Sequence, residues 1–202
     1  WEKRLKRIAR WFEARFLQEA DVVVALSIAA VDAMKGWPAV TGRSVHFEVV
    51  TTCTDLELFR PPPGGPRATR DKPFTLGYVG SAGRGYLLEP VLDVFLAIRA
   101  LKPTARLKIV NRNDHDLIRG HLNARRIGFD SVELSGCDYP EVPEQIWGMD
   151  LGLFFYQWTN SHVSSVPTRM GELLACGVPC LSNVSGAGIV DIGIVGQKRG
   201  WC

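Results

Sequence analysis

Short apolar runs alternate along this sequence with segments of helical periodicity. Each run has the length of a buried strand, and a predicted helix separates most runs from the next. Parallel strands need such crossover connections. Because the connections are right-handed, their helices cover both faces of the sheet. The alternation therefore predicts an α/β fold with a parallel sheet. The runs are DVVVAL, VHFEVV, FTLGYVG, ARLKIV, SVELSG, LGLFFY and VPCLSN.

The helices between these runs are predicted from apolar spacing and from end signals. A first helix is expected over about 2 to 18, before the first run. Ser27 is placed to cap a helix that ends near Gly36. The later helices are expected at LLEPVLDVFLAIRAL, at residues 115 to 127, and over about 142 to 149.

A Pro/Gly cluster from Pro61 to Pro66 interrupts this pattern, which restarts after it. We therefore expect two parts, residues 1–60 and residues 61–202. The composition, 46% hydrophobic and 22% charged, is that of a globular protein and excludes a disordered one. Because the chain begins at Trp1 and stops at RGWC, we expect a fragment of a longer protein.

Two features bear on metals and membranes. Five cysteines without a C-x-x-C pair predict reduced, buried thiols in a cytosolic protein rather than a zinc site. No apolar run approaches the roughly 20 residues that a membrane span needs. The cysteines are Cys53, Cys137, Cys176, Cys180 and Cys202.

Residues 1–16 are strongly basic, with six Lys or Arg against two Glu. An apolar stripe at helical spacing runs through the same segment. Such a helix can pack its apolar side on a domain core, or it can lie on an anionic membrane surface. The rest of the chain is nearly neutral and has no basic face, so nucleic-acid binding is not expected. The stripe consists of Trp1, Leu5, Ile8, Phe12 and Phe16.

Ligands of parallel sheets lie beyond the carboxyl ends of the strands, which directs attention to the loops there. The first such loop, GYVGSAGRGY, contains Gly80, Ser81, Gly83 and Arg84 and leads into a helix. Close backbone approach, a cation and a helix N-terminus suit a phosphate group. A tight strand-to-helix turn also uses glycine, and the pattern differs from the G-x-G-x-x-G dinucleotide fingerprint.

The second loop passes through Cys137, Asp138 and Tyr139. A nucleobase could lie against this loop and be recognised by backbone groups. The same residues would equally make a good entry to the helix that follows.

The third segment, SSVPTRMGELLACGVPCLSN, predicts a short helix with Pro167 in its first turn and Gly177 just past its end. Met170, Leu173 and Leu174 follow the spacing of a buried stripe that continues to Gly177.

Polar groups cluster at the start of this predicted helix. Ser164, Ser165 and Thr168 place hydroxyls near its free N–H groups, and Arg169 and Glu172 share a face. A surface salt bridge would explain that pair. Alternatively, Arg169 and the helix N-terminus hold a diphosphate, and Glu172 accepts hydrogen bonds from ribose hydroxyls.

The same segment resembles the S-x-P-T-K-x-x-E-Y-L-A-x-G-x-P-V-I motif of retaining nucleotide-sugar glycosyltransferases of family 4 type. Other family segments are matched in the family's order by ADVVVALS, VVTTCTDLELFRP, GYVGSAGRGYLLE and VPEQIWGMDLGLFF. Within the second of these, Asp55, Phe59 and Pro61 match the crossover between the two family domains.

The resemblance implies the GT-B architecture of two facing Rossmann-like domains. Residues 1–60 would be the end of the N-terminal, acceptor-side domain with the crossover, and residues 61–202 an incomplete nucleotide-sugar donor domain. The implied function of the full-length protein is sugar transfer to an acceptor hydroxyl with retention, in the biosynthesis of a polysaccharide or glycoconjugate. The fragment alone is expected to be inactive.

The resemblance also assigns roles to residues. Glu172 matches the ribose-binding glutamate, Arg169 replaces a lysine, and these two are the expected catalytic residues. The backbone from Ser164 to Thr168 and the loop from Gly80 to Arg84 would hold the diphosphate, with Ser165, Ser81 and Gly83 among these donor-binding residues. The base would lie at the loop of Cys137, Asp138 and Tyr139.

Ser164 stands where the family has a second glutamate, eight residues before the ribose-binding one. A non-catalytic nucleotide-sugar-binding module would explain this serine and is one alternative; an epimerase, which shares the architecture, is another, although no extra acid/base pair favours it. No cofactor is expected, because the nucleotide sugar is the substrate, and no metal is expected, because the sequence shows no metal-binding cluster of acidic residues. We expect a cytoplasmic protein, with a lipid-linked acceptor and peripheral membrane contact through residues 1–16 as further possibilities.

Overall fold

The structure is a computed structural model that describes residues 2–65, 72–83, 85–157 and 166–183. Contacts between residues divide the chain into two compact units. The described part of the first unit consists of residues 2–52 and Val166, and that of the second consists of 53–157 and 167–183 with the gaps given above. The predicted boundary between residues 60 and 61 stays a prediction.

The described part of the first unit contains two helices and two short strands. Its elements are α1 (Glu2–Glu19), β1 (Val23–Ala25), α2 (Ile28–Lys35) and β2 (Phe47–Val49), and the two strands pair in parallel. Ser27 caps α2 as predicted, because the backbone N–H of Ala30 donates to Ser27 Oγ over 3.1 Å. The helix ends at Lys35, and Gly36 follows as its C-cap.

The second unit is built on a five-stranded parallel sheet, which confirms the predicted α/β class. The sheet order is β5–β4–β3–β6–β7. The chain thus runs outward from β3 to one edge and returns to add β6 and β7 on the other side. The strands are β3 (Thr75–Val79), β4 (Arg106–Val110), β5 (Val132–Ser135), β6 (Leu151–Phe154) and β7 (Cys180–Ser182).

Helices connect these strands and bury apolar stripes on the sheet. They are α3 (Leu88–Leu101), α4 (His115–Ala124), α5 (Val142–Ile146) and α6 (Thr168–Ala175). Two of them end earlier than predicted. Helix α4 closes where Arg126 adopts a φ of 54° and the Ile127 N–H donates to Leu122 O over 3.0 Å. Helix α5 ends at Ile146 rather than near residue 149.

The core lies between the sheet and helices α3 and α4. Its strand residues have at most 2% of their surface exposed, and they alternate along β3 and β4 because successive side chains point to opposite faces. The principal members are Leu76, Tyr78, Leu107, Ile109, Val91, Leu92, Phe95, Ile118 and Leu122. Two glycines on the central strands allow close packing, Gly77 against Met149 and Gly152 against Leu173 of α6.

The segment before the Pro/Gly cluster belongs to the second unit. Phe59 is almost fully buried, and its ring lies 5.6 Å from that of Tyr139 in an edge-on arrangement. The indole N–H of Trp147 donates to Arg60 O over 2.7 Å. These contacts hold residues 53–60 against the sheet unit. Among the described residues, no helix is both long enough and apolar enough to cross a membrane.

Candidate functional site

Helix α6 has the ends that its sequence suggests, with one shift. Pro167 is the N-cap, with extended backbone angles, rather than a residue of the first turn as predicted. Its carbonyl still accepts from the Met170 N–H over 3.1 Å. At the other end Gly177 adopts a φ of 77°, its N–H donates to Leu174 O, and the Val178 N–H donates to Leu173 O. This pair of hydrogen bonds is a Schellman motif, and it confirms the predicted end.

The buried face of α6 differs from the predicted one. Met170 and Leu173 are buried as predicted, but Leu174 is 51% exposed, so its assignment to the core was wrong. Because each residue turns the helix by about 100°, burying Leu173 together with Glu172 directs Leu174 outward. Arg169 lies between Glu172 and Leu173 on this wheel. The polar pair is therefore part of the buried face and not of a second, exposed face.

Arg169 and Glu172 form an ion pair between Nη1 and Oε2. Only 3% of the Glu172 side chain and 23% of the Arg169 side chain are exposed, so the pair is not the surface salt bridge that the sequence left open. Burial raises the pKa of Glu172, and the neighbouring guanidinium partly opposes this rise. Within the described residues, neither Arg169 Nη1 nor Glu172 Oε2 has a hydrogen-bond partner other than its partner in the ion pair.

The glycine loop after β3 has a backbone shape that favours glycine. Gly80 has a φ of 146° and Gly83 a φ of 107°, values that other residues rarely adopt. The Gly80 N–H donates to Val110 O over 3.0 Å, and the Tyr78 hydroxyl donates to Ser81 O over 2.5 Å. Arg84, predicted to supply a cation, lies outside the described residues.

The far end of the glycine loop is paired with the segment after β6. Leu87 N–H donates to Phe155 O, and Gln157 N–H donates to Gly85 O, over 2.9 and 2.8 Å. The ring centroids of Tyr86 and Tyr156, from the same two segments, lie 5.3 Å apart. In a sheet of this order, the gap between β3 and β6 is the usual ligand position. Here backbone hydrogen bonds tie the far end of the glycine loop to the segment after β6 at this position.

A cleft of about 160 Å³ opens instead at the carboxyl ends of β3 and β4. Of the predicted site residues, Gly80, Ser81, Cys137 and Arg169 line it together. It joins the glycine loop, the loop after β5 and the first turn of α6. A guanidinium and a glycine-rich backbone therefore line the same cavity, a combination that suits a phosphate ligand.

The loop predicted to bind the nucleobase, at Cys137, Asp138 and Tyr139, also stabilises the local structure. The Asp138 side chain accepts from the backbone of Glu141, and the Asp138 N–H donates to Glu141 Oε2 over 3.0 Å, which is a capping box. Asp138 also pairs with the exposed guanidinium of Arg112. Burial raises the pKa of Cys137, so its thiol stays protonated at neutral pH. Tyr139 is half-exposed and packs on Phe59.

The remaining predicted residues are distributed as follows. Ser164 and Ser165 lie outside the described residues, as Arg84 does. Thr168 is the exposed first residue of α6. Gly83, Asp138, Tyr139 and Glu172 do not line the cleft themselves, although Glu172 is joined through its ion pair to Arg169, which does. In the described ranges, no group of three or more His, Cys, Asp or Glu is placed to hold a metal ion.

Asn111 and Asp114 also line the cleft, and the sequence reasoning missed them. Asn111 directly follows β4 and is 3% exposed. Its side chain donates to Gly80 O over 2.8 Å, and Asp114 Oδ2 accepts from the Ala82 N–H over 3.0 Å. The sequence signal for them was the polar stretch NRND, which follows a predicted strand directly. The loops predicted to bind the phosphates and the base follow strands in the same way.

Several solved glycosyltransferases have a similar fold. The pneumococcal O-GlcNAc transferase GtfA, in complex with UDP and GlcNAc, is 12% identical, with a TM-score of 0.60 over 85% of this chain and 31% of its own. A mutant of S. aureus TarM, in complex with fondaparinux, alpha-GlcNAc-glycerol and UDP, is 10% identical, with a TM-score of 0.60 over 86% and 32%. The lipopolysaccharide outer core galactosyltransferase WaaB, in its apo form, is 21% identical, with a TM-score of 0.52 over 81% and 43%.

These similarities establish the fold, a Rossmann-like sheet domain of the GT-B type. The chain spans about a third of the length of GtfA and TarM and under half that of WaaB. No protein-family model matches the sequence. No curated protein sequence matches it either.

Proposed function

We propose that the chain binds a nucleoside-diphosphate sugar at the carboxyl ends of β3 and β4, as the donor side of a glycosyltransferase. The observation that carries the proposal is the buried Arg169–Glu172 pair at the start of α6, with Arg169 lining the same cleft as Gly80. A diphosphate is recognised by a guanidinium and by free N–H groups, and a ribose diol by a carboxylate. GtfA and TarM, which share the fold, were each solved with UDP.

The proposed chemistry follows from what this arrangement stabilises. When the bond between the sugar and the diphosphate breaks, negative charge develops on the departing nucleoside diphosphate. Arg169 and the N-terminal N–H groups of α6 favour that charge, because both present fixed positive potential in a partly buried site. Glu172 orients Arg169 through its ion pair, and the sequence resemblance assigns its carboxylate to the ribose hydroxyls.

The finer parts of the proposal rest on the sequence resemblance. According to these parts, the enzyme is of family 4 type and transfers the sugar with retention of configuration. The rest of a longer protein presents the acceptor hydroxyl, and the reaction needs no metal cofactor. A cytoplasmic role in building a polysaccharide or glycoconjugate belongs to the same proposal.

Calorimetric titration of the chain with UDP, GDP and ADP tests donor binding. One diphosphate should bind preferentially, and Glu172→Gln should weaken it by roughly tenfold to a hundredfold, since hydrogen bonds to a charged group contribute about 1.5–3 kcal/mol. Glu144→Gln, at an exposed position of the same unit, is the matched control and should bind as the wild type does. If a folded chain bound none of the three, or if both variants behaved alike, the proposal would be wrong.

The proposal includes contact of α1 with an anionic membrane. Large apolar side chains on this helix are exposed, among them Phe12 at 50% and Phe16 at 72%. Six Lys or Arg in residues 1–16 supply charge complementary to acidic lipid. The free energy of binding would combine apolar burial in the interface with electrostatic attraction that salt screens.

Vesicle flotation tests this contact. The chain should float with phosphatidylcholine vesicles that contain phosphatidylglycerol, and not with phosphatidylcholine alone or at high salt. Phe12→Ser with Phe16→Ser should abolish flotation, whereas Leu101→Ser, at a position 84% exposed in the second unit, should leave it unchanged. Failure to float would favour packing of this face on protein, and equal flotation with neutral and anionic vesicles would contradict the proposed attraction to acidic lipid.

A further inference from the structure

Asn111 uses both ends of its side-chain amide to join two backbone segments, at Gly80 and at Asn113–Asp114, and to bond the Asp114 carboxylate. Its Nδ2 donates to Gly80 O over 2.8 Å and to Asp114 Oδ2 over 3.1 Å. Its Oδ1 accepts from the backbone N–H groups of Asn113 and Asp114, over 3.1 and 2.6 Å. With only 3% of the residue exposed, these bonds do not compete strongly with water.

The bonds connect the turn after β4 to the glycine loop after β3. Asp114 continues the connection, because its Oδ2 also accepts from the Ala82 N–H over 3.0 Å. Gly80 and its neighbours are therefore held by side chains from the adjacent strand end. Glycine has no side chain to limit its own backbone, so a loop of this kind depends on external bonds for a single shape.

We propose that Asn111 is a positioning residue that holds the Gly80–Ala82 backbone in the shape that binds the donor diphosphate. The inference rests on the proposed function for its ligand. Asn111 acts through Gly80: ordering the loop before binding removes an entropy cost that the ligand would otherwise meet. Asparagine suits the position because it donates and accepts at once. An aspartate would lose both donated bonds and place a second carboxylate against Asp114.

The first test measures the loop without ligand, by amide hydrogen exchange. Asn111→Ala and Asn111→Asp should each speed exchange in residues 80–83 roughly tenfold, the value of about one lost hydrogen bond. Exchange in β6, Leu151–Phe154, should not change, which separates a local effect from general destabilisation. The control is Asn123→Ala, at an exposed position on α4. Unchanged exchange at residues 80–83 in both Asn111 variants would overturn the proposal.

The second test compares ligands with and without the diphosphate. Asn111→Ala should weaken the preferred nucleoside diphosphate roughly tenfold and leave affinity for the matching nucleoside unchanged, because only the phosphates meet the glycine loop. A variant that was merely destabilised would weaken both ligands. Faster exchange with an unchanged ratio of the two affinities would also overturn the proposal. If the wild-type chain binds no diphosphate, the proposed function and the ligand role of Asn111 both fail, and the exchange result alone decides whether Asn111 holds the loop.

Discussion

Arg169→Met should destabilise the second unit by about 3 kcal/mol near pH 8, and by much less near pH 5. The substitution leaves the carboxylate of Glu172, which is 3% exposed, without its counter-charge. Removing one partner of a buried pair costs more than the pair contributes, because the remaining charge stays desolvated. Arg119→Met is the matched control, since it breaks an exposed i,i+3 pair with Asp116 and should cost less than about 1 kcal/mol.

The pH dependence follows from the direction of the Glu172 shift. Burial raises the pKa of Glu172 in the folded chain above its ordinary value, and Arg169 partly lowers it again. A group whose pKa is raised by folding contributes stability at low pH that is lost as the pH rises through the folded value. Without Arg169 this pKa rises further, so the loss extends over a wider range and is larger at neutral pH.

Urea denaturation at the two pH values measures this effect. Cys176 directly follows α6 and is 3% exposed, so alkylation of its thiol reports the opening of this helix. The double variant Arg169→Met with Glu172→Gln should recover most of the stability and lose the pH dependence, because a neutral amide replaces the unpaired charge. An equal loss at both pH values would contradict the assignment of a buried, paired carboxylate.

Gly152→Val should destabilise the second unit by about 2 kcal/mol or more through overpacking. A Cβ at this position would lie 2.5 Å from Leu173 Cδ1 and 2.6 Å from Cδ2, far inside normal contact. Leu173 is 1% exposed and lies on α6, so it has little room to move without shifting the helix that holds Arg169.

Thermal unfolding measures this cost, which should lower Tm by several degrees. Gly120→Val is the control, because nothing lies within 4 Å of a Cβ at Gly120 and its position on α4 is exposed. Adding Leu173→Ala to Gly152→Val should cost less than the sum of the two single changes, since the smaller residue makes room for the larger one. Strict additivity would show that the two side chains do not compete for this space.

Local patterns in the sequence predicted most of the described helices and strands correctly. The strand runs, the cap at Ser27 and the end of α6 at Gly177 each depend on residues close together in the chain. Leu174 was wrongly assigned to the core because the apolar spacing alone favoured its burial. In the structure the buried face of α6 includes Glu172 instead, and Leu174 is exposed. Asn111 was missed because a single asparagine in a polar turn carries no signal of burial.

The order of apolar runs and predicted helices was therefore sufficient to predict the α/β class. Hydrophobic periodicity and turn chemistry act over a few residues, so both can be recognised in the sequence. Which loops meet was decided only by the strand order, which brings the carboxyl ends of β3 and β4 together and places β6 beside β3, where Gln157 N–H donates to Gly85 O. The burial of the Arg169–Glu172 pair was likewise a tertiary outcome. Burial depends on groups distant in sequence, and it turns an ordinary helical pair into a strongly coupled one.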